Sequence, residues 1–319
     1  MTSKALREVC VGLQTEAGSA VNVDTALRAV CTLKPNVTKN HPEENIGSHA
    51  PARHYVAQAM PEGSIKADAI FEDLPIYLSM ALGDVTPTGS EDPWTWSWDL
   101  PDSTSPTFDL WTLEYTDGGT YVVRGTDIFA TALTISGEAG GGIIIEAVLG
   151  GGRVDLPDSL SASPTPIATP TAVKMANTAL YIDSAYGSVG TTLIEDAFIN
   201  FSWKLENLLH TKQFAGSLYP NGRGSSIWKT TLEMTLEVAS ATAQALADAV
   251  LATTQKAIEV KVDTASDDTL TIDGVYMIED VASIDERDGN NIIKVSCLGE
   301  KDSSDNTGAV TVETNKETL

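Results

Sequence analysis

Four histidines, three cysteines, an alternating tryptophan triplet and one acidic turn are the residues of this chain whose types and spacing invite chemistry. His41, His49 and His54 share one stretch and His210 stands apart. Separations of eight and five residues in a Pro-containing segment match neither the helical nor the hairpin spacing of zinc ligands. Cys10, Cys31 and Cys297 form no CxxC pair and sit in apolar contexts, so they read as reduced, buried thiols. The run from Asp285 to Asn291 has the composition of a calcium loop without its alternating ligands or its twelfth-position Glu, and reads as a hairpin turn. No Gly-x-Ser-x-Gly elbow, phosphate-binding loop or dinucleotide fingerprint occurs. Neither a catalytic residue, a cofactor nor a metal is expected. Trp94, Trp96 and Trp98 alternate, which in a strand puts three indoles on one face. Such a face is either the sugar platform of a carbohydrate-binding or adhesin module, or a surface buried against a neighbouring domain or subunit.

The elements that position these residues belong to a folded, acidic chain. Its 319 residues contain 44 Asp and Glu against 20 Lys and Arg, a net charge of −24, with 42% hydrophobic residues. That apolar fraction supports packed cores, and the length favours two domains. The charge divides as −13 over residues 1–160 and −11 over residues 161–319, so no acidic tail carries it. Such a surface repels phosphate backbones and excludes a conventional nucleic-acid reader. The N-terminus has no apolar run of signal-peptide type, and no stretch is apolar enough to span a membrane. A secreted acidic hydrolase, which needs export and a pocket of convergent carboxylates, is disfavoured on that ground.

The sequence repeats itself. GTDIFATALTISGEAGGGIIIEAVLG, from Gly125, superposes without a gap on GVYMIEDVASIDERDGNNIIKVSCLG, from Gly274, at an offset of 149. Both read as β-hairpins with turns at Gly140 and Gly289. Earlier, Leu27, Ala29, Cys31 and Leu33 alternate like Ile199, Phe201, Trp203 and Leu205, at an offset of 172. The excess of about 23 residues in the first copy fits an insertion at residues 84–107. Each copy then has a strand and one short helix. In the first, Ile70, Leu74 and Leu78 form a stripe, Pro75 suits the first turn and Gly83 the C-cap. In the second, Ser240 precedes Ala245, Leu246, Ala249 and Val250 at helical spacing. Long loops at residues 35–63 and 208–226 follow equivalent strands. The expected organisation is a first domain over residues 1–160, a Pro-rich extended linker over 157–173, a second domain over 174–302, and a C-terminal tail over 303–319.

VGLQTEAGSAVNVDTALRAV, SIKADAIFEDLPIYLSMALG, GTDIFATALTISGEAGG and TALYIDSAYGSVGTTLIEDAFINFSWKLENLL together resemble the tail tube proteins (major tail proteins) of long-tailed bacteriophages, in the family with two tube domains in one chain. The resemblance covers most of the chain. It implies a β-rich α+β fold of two tandem tail-tube-like domains, β-sandwich or barrel-forming, each with one short helix. It further implies that inner sheets of neighbouring subunits join into a β-barrel around a channel, that rings stack, and that DNA passes through without specific binding. The partners implied are copies of the chain itself, as a trimeric ring with pseudo-sixfold symmetry, and other phage tail proteins. The setting is the virion tail, assembled in the host bacterial cytoplasm without membrane. The lumen candidates are Ser64, Lys66, Asp68, Thr231, Glu233, Thr235 and Glu237. The candidates for stacking contacts are His41, Glu43, Glu44, His49, Arg53, His210, Lys212, Tyr219 and Arg223.

Overall fold

The computed structural model describes residues 7–43, 53–100, 108–118, 121–194, 197–237, 240–264, 267–281, 285–287 and 289–319. Its first half contains β1 (Glu8–Leu13), β2 (Thr25–Leu27), β3 (Val30–Cys31), β4 (Lys34–Asn40), β5 (Tyr55–Asp68), α1 (Leu74–Leu82), β6 (Trp94–Asp99), β7 (Trp111–Thr116), β8 (Val122–Glu138), β9 (Ile143–Gly150) and β10 (Arg153–Asp155). The second half contains β11 (Thr178–Asp183), β12 (Ala197–Glu206), β13 (Leu209–Lys212), β14 (Gly222–Ser225), β15 (Lys229–Glu237), α2 (Ser240–Ala252), β16 (Gln255–Asp263), β17 (Thr269–Val281), β18 (Asp285–Arg287), β19 (Asn290–Gly299) and β20 (Gly308–Thr314). The fold is β-rich α+β with large antiparallel sheets.

One antiparallel sheet runs through both halves. β3 and β4 pair with β5, β5 with β9, β9 with β8, β8 with β12, β12 with β15, β15 with β19 and β19 with β17. The two halves join at β8 and β12, where Asn200 lies opposite Glu138 and Glu206 opposite Ala132. Alternation decides which face is buried: Leu133, Ile135, Ile145, Phe201, Trp203, Leu232, Met234, Val295 and Cys297 all point into the core. β8 and β17 are 17 and 13 residues long and serve a second layer as well. Their N-terminal parts leave this sheet to pair with β7 and β10, and with β16 and β20, respectively. Bulges between Ala130 and Ala132 and between Ile278 and Asp280 mark the bends.

Face periodicity corrects the repeat alignment. Phe129 opposite Gly150 and Ala132 opposite Val148 correspond to Met277 opposite Leu298 and Asp280 opposite Ser296, an offset of 148. The identity-based offset of 149 would set core-facing Ile143 on Ile292, which faces away from the core cluster. One residue of slip exchanges the faces of a strand. The slip occurs between Val281, opposite Val295, and Asp285, opposite Ile292. Likewise the single strand expected through Leu27 and Leu33 is broken: β2 turns away to pair with β1, and only β3 and β4 stay on β5.

α1 starts at Leu74, carries Pro75 in its first turn and ends at Gly83, whose φ of 95° suits glycine. Instead of one apolar stripe, all nine helical residues are buried, because α1 lies between β8 and β6. The Trp98 indole N–H donates to the Gly83 carbonyl at 2.8 Å. In α2, Leu246 and Ala249 are buried while Ala245 is exposed.

The Pro-rich stretch is not a free spacer. The Ser161 N–H donates to Glu114 at 2.8 Å, the Arg28 guanidinium to the Ile167 carbonyl at 2.6 Å, and the Thr171 N–H to the Glu72 carboxylate at 3.0 Å. Phe71 and Val173 add backbone hydrogen bonds to Thr171 and Ala69. Glu114 itself is buried and paired with Arg124.

Asp73, 3% exposed ahead of α1, has one carboxylate oxygen buried without a hydrogen-bond partner. Burial pushes its carboxyl up to about 6 and Glu72 adds to this, while the Arg28 backbone N–H, Lys316 and the Arg28 charge oppose it. Because the folded value exceeds the ordinary 3.8, the stability this residue contributes is present below pH 3.8 and lost as pH rises through about 6. Asp73→Asn is therefore expected to stabilise the protein by about 1–3 kcal/mol at pH 8 and to change little at pH 3.5. Urea unfolding at the two pH values checks this, and an equal gain at both would refute it.

Candidate assembly surfaces

Every lumen candidate lies on the face of the continuous sheet turned away from the core. Cross-strand register aligns them in rows. Lys66, Glu146, Thr134, Lys204, Thr231 and Leu298 form one row; Asp68, Ile144, Ser136, Ser202, Glu233, Ser296 and Asp280 form the next. Ser64 is hydrogen-bonded to Thr32 at the sheet edge. Asp68, Glu233 and Thr235 line one depression of about 740 Å³ with Glu138, Ser202 and Lys294, so this face is concave there. Thr235 is buried at 6% exposure although it belongs to the polar face, and Glu237 closes its row opposite Ile292.

The face is mixed in charge. Glu62, Asp68, Glu138, Glu146, Glu206, Glu233, Glu237, Asp280 and Asp285 share it with Lys34, Lys66, Lys204, Lys229, Lys294 and Arg287. Lys66 pairs with Glu146 at 3.4 Å, Lys204 with Glu206 at 2.6 Å and Arg287 with Glu138 at 3.9 Å. Carboxylates therefore outnumber cations nine to six, and Lys66, Lys204 and Arg287 each sit in an ion pair. Sequence reasoning picked β5 and β15 alone. The same alternation in residues 143–150 and 290–299 was the available signal for β9 and β19.

The two stretches expected as loops are hairpins. β4 pairs with the N-terminal half of β5, and β13 with β14. All seven β4 residues are exposed, whereas its partner β5 buries Ala59 and Pro61. The Ala59 N–H donates to the Leu218 carbonyl at 3.0 Å, bringing the two hairpins together. Val37, Tyr55, Val56, Phe214, Leu218 and Ile227, on or beside these hairpins in sequence, are exposed apolar side chains. His41 and His54 face each other with ring centroids 5.6 Å apart, flanked by exposed Glu43 and Arg53. Glu44 and His49 lie outside the described residues. His210 and Lys212 on β13 stand opposite Gly224 and Gly222, with Arg223 between them, and Tyr219 lies under Arg153 at 5.6 Å.

Two of the three indoles of the tryptophan platform are buried, and Trp94 at the start of the strand is half-buried. Trp96 and Trp98 are 1% and 2% exposed and stacked at 6.1 Å, and the Trp96 indole N–H donates to the Lys316 carbonyl at 2.8 Å. β20 covers this strand, with Val310 opposite Trp98 and Val312 opposite Trp96. A sugar cannot stack on indoles that already form a core, which removes the carbohydrate-binding reading. Burial also pushes the thiols of Cys10 and Cys31 up to about 11 and that of Cys297 to about 12, away from nucleophilic thiolate chemistry. Among the described residues no group of three or more His, Cys, Asp and Glu is placed to hold a metal ion. No helix among them is long and apolar enough to cross a membrane.

Comparison with known proteins fits these surfaces. A search of curated proteins gives no match to the chain. A family model described as phage tail tube protein matches residues 6–315, nearly the whole length. That match takes in both halves of the continuous sheet and both hairpins, and on it the chain belongs to the phage tail tube protein family.

Proposed function

We propose that copies of this chain join side by side into rings, three to a ring with pseudo-sixfold symmetry, and that rings stack into the tail tube. The observation that carries this is the continuous sheet, whose two halves are already joined edge to edge within one chain while its outer edges are open among the described residues. A closed ring removes exposed edges that would otherwise template aggregation. In this reading the polar concave face lines the channel, and Ser64, Lys66, Asp68, Thr231, Glu233, Thr235 and Glu237 are lumen residues. Its excess of carboxylates leaves few partners for phosphates, so a duplex slides through during ejection. Residues 1–160 and 174–302 act as the two tube domains, tied by residues 157–173. Assembly takes place in the host cytoplasm, alongside other tail proteins.

Stacking falls to the hairpins, with His41, Glu43, Glu44, His49, Arg53, His210, Lys212, Tyr219 and Arg223 as contact residues. A two-stranded ribbon with one strand wholly exposed is marginal on its own, and its exposed Val37, Tyr55 and Val56 suit burial by the next ring. Electron microscopy of the purified protein is the test: rings or tubes with an open channel support the reading, and a monodisperse monomer at high concentration rejects it. Deleting residues 41–52 is expected to leave folded protein that forms rings but no tubes. Normal tubes from that variant would remove the hairpin from the stacking contact.

A further inference from the structure

Both outer edges of the continuous sheet are open among the described residues. β3 and β4 pair on one side only, with β5. Beyond Met277, β17 pairs only with β19, and so does β18. The edges differ sharply in charge. Residues 28–40 carry Arg28, Lys34 and Lys39 and no carboxylate, in a chain with 44 acids and 20 bases. Residues 279–287 carry Glu279, Asp280, Asp285 and Glu286 against one base, Arg287. Lys34, Lys39 and these four carboxylates are exposed, and Val30, a β-branched residue on the first edge, is 55% exposed.

The molecule contains the missing joint once already. β17 lies beside β19 as β8 lies beside β9, and β3 lies beside β5 as β12 lies beside β15. Inside the chain, β8 receives β12. We infer that β17 and β18 of one copy receive β3 and β4 of the next, antiparallel, in the register of that internal joint. Transposing the pairs Glu206–Ala132, Ser202–Ser136 and Asn200–Glu138 puts Asn36 opposite Asp280, Thr32 opposite Asp285 and Val30 opposite Arg287. Lys34 then stands between Asp280 and Asp285 on the polar face. The contact is head to tail, and opposite charges select it over the pairing of two like edges. The inference rests on the ring reading and adds the register and the charge code by which copies recognise one another.

The test compares wild type, Lys34→Glu/Lys39→Glu, Asp280→Lys/Asp285→Lys, and a chain carrying all four changes, each checked for native circular dichroism. Assembly is followed by sedimentation and electron microscopy. Each single-edge reversal is expected to raise the protein concentration needed for rings at least about tenfold, and the fourfold variant to recover most of that loss. A Thr32→Cys/Asp285→Cys chain, oxidised, is expected to give covalent multimers on a denaturing gel, which fixes the register independently of any charge effect on folding. Unchanged assembly in both single-edge variants, no recovery in the fourfold variant, or no cross-link would overturn the pairing while leaving ring formation standing. Wild type that never forms rings would overturn both.

Discussion

A variant ending at Thr307 is expected to yield no cooperatively folded protein. The segment removed contains β20, which pairs with β17 from Gly308 to Glu313 and with β6 from Ala309 to Thr314, and so closes two ladders at once. Val310 and Val312 are fully buried, each worth roughly 1.5–3 kcal/mol of burial. Their loss uncovers Trp96 and Trp98, and the Trp96 indole loses the Lys316 carbonyl. Asp273, which accepts hydrogen bonds from the Tyr186 hydroxyl at 2.6 Å and the Ala309 N–H at 2.9 Å, loses the second. Together these terms approach the whole stability of a typical protein, about 5–15 kcal/mol. Near-ultraviolet circular dichroism reads the tryptophan environment directly. A truncated chain that kept the native signal and melted cooperatively would show that α1 and the Thr88–Thr95 bridge hold β6 without β20.

Much of this fold was legible in local pattern. Period-two alternation located β12, the internal repeat located the β8–β9 and β17–β19 hairpins, and Pro75 with Gly83 bracketed α1. The glycines at 140 and 289 mark turns in which both adopt a φ of 86°. What alternation does not encode is which strands meet. β20 and β6 are more than 200 residues apart, and neither Val310 nor Trp98 carries a sign of the other. The stretch at residues 34–40 gave no strand signal because β4 is exposed on both faces, so nothing in it had to alternate. The repeat offset failed for a related reason. Identities such as Gly140 with Gly289 and Ile143 with Ile292 set the offset at 149, while core faces obey 148, because the second copy carries one more register slip before its turn. Bulges add a residue without changing composition, so only the pairing reveals them. The acidity of the chain was visible at once, but its distribution was not. The polar face is a set of partly paired charges, and the strongest local contrast lies at the sheet's two open edges.

Trp203→Ala is expected to be the most damaging single substitution in the joint between the halves. The indole is fully buried on β12, with Ile135 of β8 opposite on one side and Leu232 of β15 on the other. Its N–H donates at 3.1 Å to the Tyr276 hydroxyl, and Tyr276 is itself 1% exposed. Truncation leaves a large cavity between three strands, at a cost of about 3–5 kcal/mol. It also leaves the Tyr276 hydroxyl without its donor in a dry core, a further cost of about 1–3 kcal/mol. Trp203→Phe keeps most of the volume and loses the hydrogen bond, so its effect in urea unfolding should be less than half as large. Equal losses in the two variants would assign the effect to the hydrogen bond instead of the cavity. Because Trp203 points away from the polar face, Trp203→Phe should still assemble at wild-type concentrations. A selective assembly defect in a variant that folds normally would mean that the β8–β12 joint governs the curvature of the ring as well as the stability of the chain.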